Sequence, residues 1–146
     1  MKKLAGATIS LTAIIFFLMS SINASAAPRG YWVRVITHKL SANGNQGIYL
    51  VDKSSIETSG NVRSYWVGLI YSKPVSIKNR GKNASVSKVV AYTSVNCKNR
   101  NSYSFYKIGA FDPKDKLITV MDFKNGIVSL PPQGTKATGN YVCSRK

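Results

Sequence analysis

From about residue 31 onward, apolar and polar side chains alternate along the chain. The rhythm is broken at short intervals by Gly, Asn, Asp, Ser and Pro, which is the pattern of short antiparallel strands joined by turns. Tyr31–His38 reads as a first strand. Alternation places Tyr31, Val33, Val35 and Thr37 on one face and Trp32, Arg34, Ile36 and His38 on the other. Neither set is polar, so this strand is expected to be covered on both sides. Gly47–Val51 is a short strand that Asp52–Ser55 interrupts, and Ile56 turns its side chain back towards the core. Val62–Tyr71 is longer, with Tyr65, Val67, Leu69 and Tyr71 facing one way and Trp66 and Ile70 the other.

Residues 72–85 read as a loop, and Val86–Cys97 as the next strand. On that strand Val89, Ala91, Thr93, Val95 and Cys97 share a face. Further strands are expected at 102–108 and 116–123. Asn125-Gly126 is a tight-turn signal, and Pro131-Pro132 stops the short run that follows it. The tail 134–143 is ambiguous. Gly139 and its threonines make a poor isolated helix, yet a helical turn from about Thr135 to Val142 would lay Tyr141 and Val142 on the sheet and carry Cys143 towards Cys97. The expected class is mainly β (α+β): an antiparallel sheet of about six strands with a short C-terminal helix.

The first residues follow a different pattern. Lys2 and Lys3 precede the apolar run Leu4–Leu18, and Ala24-Ser25-Ala26 supplies small residues for cleavage. Residues 1–26 therefore read as a cleaved secretory signal. The apolar run is short for a retained membrane span. Residues 27–146 remain as one domain. No Cys follows the cleavage site to carry a lipid anchor, so the expected location is the periplasm, the cell surface or the medium.

Charge changes the picture most. The chain has 21 Lys and Arg against 5 Asp and Glu, a net +16, which becomes +14 once Lys2 and Lys3 are removed. A field of one sign on a small domain attracts polyanions and acidic surfaces and weakens as salt rises. The stretch 72–85 contributes Lys73, Lys78, Arg80 and Lys82 with no acidic residue, and Lys98 and Arg100 flank Cys97. These six are the candidate contacts for an acidic partner; the plainer reading is a solvated surface.

Cys97 and Cys143 are the two cysteines. In an exported chain they suggest one disulfide, closing a loop of about 47 residues that is worth roughly 4 kcal/mol in the chain-entropy model. A pair of buried thiols or a metal pair are the alternatives. Structural zinc needs four N/S ligands, and one His is a thin supply.

Candidate catalytic chemistry is sparse. His38 is the one His and Glu57 the one Glu. With the basic composition they suggest a small ribonuclease using general acid–base catalysis, although no spacing rule joins them, and the leading expectation is a protein without enzymatic activity. The aromatic residues interleaved with basic ones, such as Trp32, Trp66, Tyr92 and Tyr106, could stack on bases or sugars. In a small β domain they more often pack across strands.

The order of these landmarks resembles the surface-adhesin protein E-like family of Gram-negative bacteria. The resemblance rests on Tyr49-Leu-Val-Asp52 with Ser55-Ile56, Trp66, the strand into Asn96-Cys97-Lys-Asn-Arg100, Tyr106, Lys116-Leu-Ile118 and the final Val142-Cys143. It implies a single sheet with a C-terminal helix pinned by the Cys97–Cys143 disulfide, exposed in the periplasm or on the cell surface. It further implies adhesion to host extracellular-matrix or plasma proteins, a link to haem as a cofactor, and homodimers. Two features depart from the family: the lipid-anchor cysteine is missing, and Ile127-Val128 stands where a Trp precedes the closing proline.

Overall fold

The computed structural model describes residues 30–40, 44–129 and 133–145. The expected signal segment lies outside the described residues. Seven strands form one antiparallel sheet: β1 (Trp32–Lys39), β2 (Gln46–Asp52), β3 (Glu57–Ser59), β4 (Val62–Asn79), β5 (Lys82–Asn96), β6 (Asn99–Phe111) and β7 (Leu117–Ser129). The order across the sheet is β1-β2-β4-β5-β6-β7, with β3 also paired to β4. Among the described residues a helix, α1 (Gln133–Cys143), follows the sheet. The sheet has one strand more than expected because β3 is only three residues long and carries no apolar alternation to announce it.

Register assigns the faces. Val51 lies opposite Val67, Val67 opposite Ala91, and Val95 opposite Tyr103. These residues and Tyr65 form the main core, which Val142 of α1 completes, with Ile56 and Tyr141 packed against it. The other face carries Trp66, Val90 and Phe111, flanked by Trp32, Tyr92 and Leu117. The faces expected for β4 are those observed. The faces expected for β1 are not: Val33 lies opposite Val51, and a bulge between Arg34 and Ile36 sets Ile36, three positions further on, opposite Tyr49, only two positions from Val51.

The Asp52–Ser55 break is a clamp. The buried Asp52 carboxylate accepts from the backbone N–H groups of Gly30, Tyr31 and Ser54 and from the Ser54 hydroxyl. The Ser55 hydroxyl donates to the Asp52 carbonyl at 2.8 Å and accepts from the Trp66 N–H at 3.0 Å. The 3-10 turn Lys53–Ser55 is thereby tied to both neighbouring strands, which explains Asp and Ser at these two positions.

Asn125-Gly126 does not start a new hairpin. Phe105 pairs with Ile127 and Lys107 with Asp122, so the intervening residues of β7 bulge out of one continuous strand. Gly126 takes a positive φ of 73° there, close against the Tyr106 ring. Pro131-Pro132, expected to stop this run, lie outside the described residues.

The tail forms the expected helix and the Cys97–Cys143 disulfide holds it, with Cα atoms 5.5 Å apart. The glycines that make this a poor isolated helix have a packing role. A methyl at Gly139 would overlap the Tyr103 hydroxyl, and one at Gly134 would overlap the Tyr49 ring. Helix propensity is given up so that two tyrosine rings can sit directly beneath the helix axis.

Candidate functional site

Residues 72–85 are not a loop, which corrects the reading from the sequence. β4 runs on to Asn79 and β5 begins at Lys82, with Val75 opposite Val86 and Asn79 opposite Lys82. The two strands form a hairpin arm beyond the last β5–β6 pair, Lys88 with Phe111. Its tip is the two-residue turn Arg80-Gly81, with φ of 51° and 78°, the pair of positive values that a type I′ hairpin turn requires.

Side-chain hydrogen bonds shape the arm. Between Ile70 and Val75 the β4 strand carries extra residues and loses register, which bends the arm at Ser72-Lys73-Pro74. The buried Asn45 grips this bend: its amide donates to the Lys73 carbonyl, and its oxygen accepts from the Lys73 N–H and the Ser72 hydroxyl, all at 3.0–3.1 Å. Near the tip, the Asn79 amide donates to the Ile118 carbonyl at 3.2 Å. That contact sets the arm's tip beside the turn that opens β7.

Lys73, Lys78, Arg80 and Lys82 are all exposed on the arm, and so are Lys114 and Lys116 on the neighbouring turn. The carboxylates of that turn are engaged within it. Asp112 accepts from the backbone N–H groups of Lys114 and Lys116, both at 2.8 Å, and Asp115 is ion-paired with the nearly buried Lys88. The outward charge at this corner is therefore positive. Lys114 and Lys116 were missing from the candidates because their place beside the arm depends on a contact between Asn79 and Ile118, far apart in sequence.

Lys98 and Arg100 are not part of this cluster. They lie at the opposite end of β5, roughly 45 Å of strand away at about 3.3 Å per residue. Arg100 is also committed locally: it donates to the Cys97 carbonyl and to the Asn140 side chain, both at 3.3 Å. The six candidates thus divide into an arm of four and a disulfide end of two.

The suggested catalytic pair does not assemble. His38 lies opposite Gly47, which lies opposite Tyr71 on the helix-bearing face. Glu57 lies opposite Ser64, on the face of Trp66. The sheet separates the two side chains. Most of the aromatic residues are packing groups: Tyr65, Trp66 and Tyr103 are fully buried, and the Trp66, Tyr92 and Tyr106 rings follow one another at 5.4 and 6.0 Å.

Burial shifts several phenols. Tyr65 is pushed well above its ordinary range by desolvation, only partly offset by its bond to Thr138. Tyr103 is pushed up to about 12 by desolvation, with Arg100 pulling the other way. Tyr49 is raised by burial and by the neighbouring Tyr71.

Tyr49 lines an apolar cleft of about 150 Å³ beside α1. The cleft does not suit haem. Its described lining has no His, Cys or Met, and a raised phenol pKa disfavours the phenolate that would have to bind iron.

Two solved structures resemble the chain. The chain is similar to protein E of Haemophilus influenzae. The selenomethionine form of that protein superposes with a TM-score of 0.46 at 14% identity, over 80% of this chain and 88% of that one. A second structure of protein E gives 0.43 at 17% identity, over 77% and 86%. No family model matches the sequence, and no curated protein matches it significantly. Among the described residues no helix is long and apolar enough to cross a membrane.

Proposed function

We propose that the protein is an exported, non-enzymatic binding module that engages host macromolecules through its basic arm, with acidic polysaccharide as the partner chemistry the arm suits best. The observation that carries this reading is the juxtaposition of Lys78, Arg80 and Lys82 with Lys114 and Lys116, held by Asn79 on Ile118. The paired backbone of the hairpin sets where these cations project before a partner arrives, so less backbone ordering entropy is lost on binding. Their spread over an extended edge suits a linear polyanion better than a compact anion. Matrix or plasma proteins with acidic or sulfated surfaces offer the same chemistry. The resemblance of the sequence landmarks to surface adhesins agrees with this role.

The test is retention on immobilised heparin. The protein should elute only at raised salt, because charge-driven binding is screened. The variant Lys78→Glu/Arg80→Glu/Lys82→Glu should elute much earlier, whereas Lys98→Glu should elute close to wild type. Equal elution of all three would refute the assignment to the arm. The second reading is an envelope accessory protein of the periplasm, whose charge serves solubility alone. Cell fractionation separates the two: protein confined inside the outer membrane favours the accessory role.

A further inference from the structure

The helix covers only part of its face of the sheet. α1 packs mainly over β1 and β2 and the start of β6. Beyond its first turn no described residue covers the same face, and the cleft of about 150 Å³ lies there. Its floor is Val67 and Leu69 of β4, Val89 and Ala91 of β5, and Phe105 and Ile108 of β6. Register puts them side by side: Val67 opposite Ala91, Leu69 opposite Val89, and Ala91 opposite Ile108. Thr135 of α1 and the Tyr49 ring form the wall.

A concavity of this size with an aliphatic lining is poorly suited to water, which needs two to four polar partners. Dry apolar cavities of about this volume take up a guest such as benzene. The apolar surface continues past the cleft. Met121 lies opposite Ile108 and Ile127 opposite Phe105, and each is 46% exposed. Water-facing apolar area of this kind is stabilised when it is covered.

Charge selects among apolar guests. No charged side chain is among the described residues that line the cleft, while the exposed Lys136 follows Thr135 directly on α1. The whole chain carries +16. An anionic headgroup is attracted to this site, and a cationic one is repelled.

We infer that the cleft is a binding site for a small anionic amphiphile: a hydrocarbon chain of about eight carbons, or a single aromatic ring, bearing a carboxylate. The apolar end lies on Val89, Ala91, Phe105 and Ile108, and the carboxylate stays at the mouth in the positive field that Lys136 reinforces. The site is separate from the basic arm, so heparin retention and cleft occupancy can fail independently.

Octanoate, octanol and octylammonium are the probes, each titrated into the exported chain and followed through backbone amide NMR shifts. Octanoate at up to about 10 mM, a concentration that registers weak affinities, should give saturable shifts at 67–69, 89–91 and 105–108. It should bind more tightly than octanol, and octylammonium should bind least. Val89→Phe, at a half-buried position, should fill the cleft and abolish the octanoate shifts while leaving heparin retention unchanged. Lys136→Glu should weaken octanoate severalfold and leave octanol as it was. The inference is overturned by an absence of saturable shifts with octanoate, or by wild-type octanoate binding in Val89→Phe. It is also overturned if octanol matches octanoate and Lys136→Glu changes neither; should Val89→Phe not fold, the Lys136→Glu comparison decides.

Discussion

Tyr65 and Thr138 are joined by a buried hydrogen bond of 2.9 Å that ties the sheet to the C-terminal helix. The Thr138 hydroxyl already donates to the Thr135 carbonyl at 2.7 Å, so Tyr65 is the donor to Thr138. The bond therefore has a direction, and its two ends are unequal. Tyr65→Phe removes the donor and leaves Thr138 bonded to Thr135. Thr138→Val leaves a fully buried phenol with nothing to accept its proton. Urea unfolding should show about 1 kcal/mol lost for Tyr65→Phe and about 2–3 kcal/mol for Thr138→Val. The reverse order would contradict this assignment.

The same phenols set the alkaline limit. Tyr65 and Tyr103 have folded pKa values raised above the ordinary 10, Tyr103 to about 12. The neutral form is favoured in the folded state, so their contribution is fully present below pH 10. It is lost as pH rises from 10 through 12, where the unfolded chain releases protons that the folded chain keeps. Thermal melts should fall steeply across that window and stay nearly flat from pH 7 to 9. Tyr65→Phe should flatten the alkaline fall.

Gly139 should defy helix propensity. In an exposed helix interior, Gly→Ala normally stabilises by about 0.5–1 kcal/mol. Here the added methyl meets the Tyr103 hydroxyl and ring, so Gly139→Ala should destabilise and displace α1. Tyr103→Phe in the same chain should recover part of the loss, because it deletes the atom the methyl meets first. A double-mutant cycle by chemical unfolding gives the coupling; additivity would mean the two groups do not touch.

Asn45 should matter for binding although it lies away from the arm's tip. Its side-chain hydrogen bonds to Ser72 and Lys73 hold the bend there. Asn45→Ala should loosen the arm, raise amide exchange at residues 72–82 and weaken heparin binding, with the disulfide end unaffected. Unchanged exchange in the arm would show that the bend holds without the clamp.

The fold was legible in the sequence wherever one face of a strand is buried. Tyr65, Val67 and Leu69 alternate cleanly with Trp66 and Ile70, and the β4 faces follow from that alone. The tail helix was legible through Tyr141, Val142 and the position of Cys143. The arm was not, because its apolar rhythm is short (Val75 and Ile77 on one strand, Ala84 and Val86 on the other) and is set among Pro74 and the run Lys78-Asn-Arg-Gly-Lys-Asn83, which read as loop signals. The β1 faces were misread because a bulge at Val35 shifts the phase without any change in composition. Asp52 and Ser55 looked like a simple strand break, since their hydrogen bonds reach Gly30 and Trp66 across the sheet. Of the candidate site, the charges on Lys78, Arg80 and Lys82 were visible, but their setting beside Lys114 and Lys116 was not. That depends on one long-range contact from Asn79.

The central claim is that an acidic polysaccharide meets the protein at the basic arm. A backbone amide NMR titration with a short heparin-derived oligosaccharide tests it most directly. Shifts should concentrate at residues 73–82 and 114–116 and shrink as salt is added. Shifts centred on Lys98 and Arg100, or spread evenly over every exposed lysine, would contradict it.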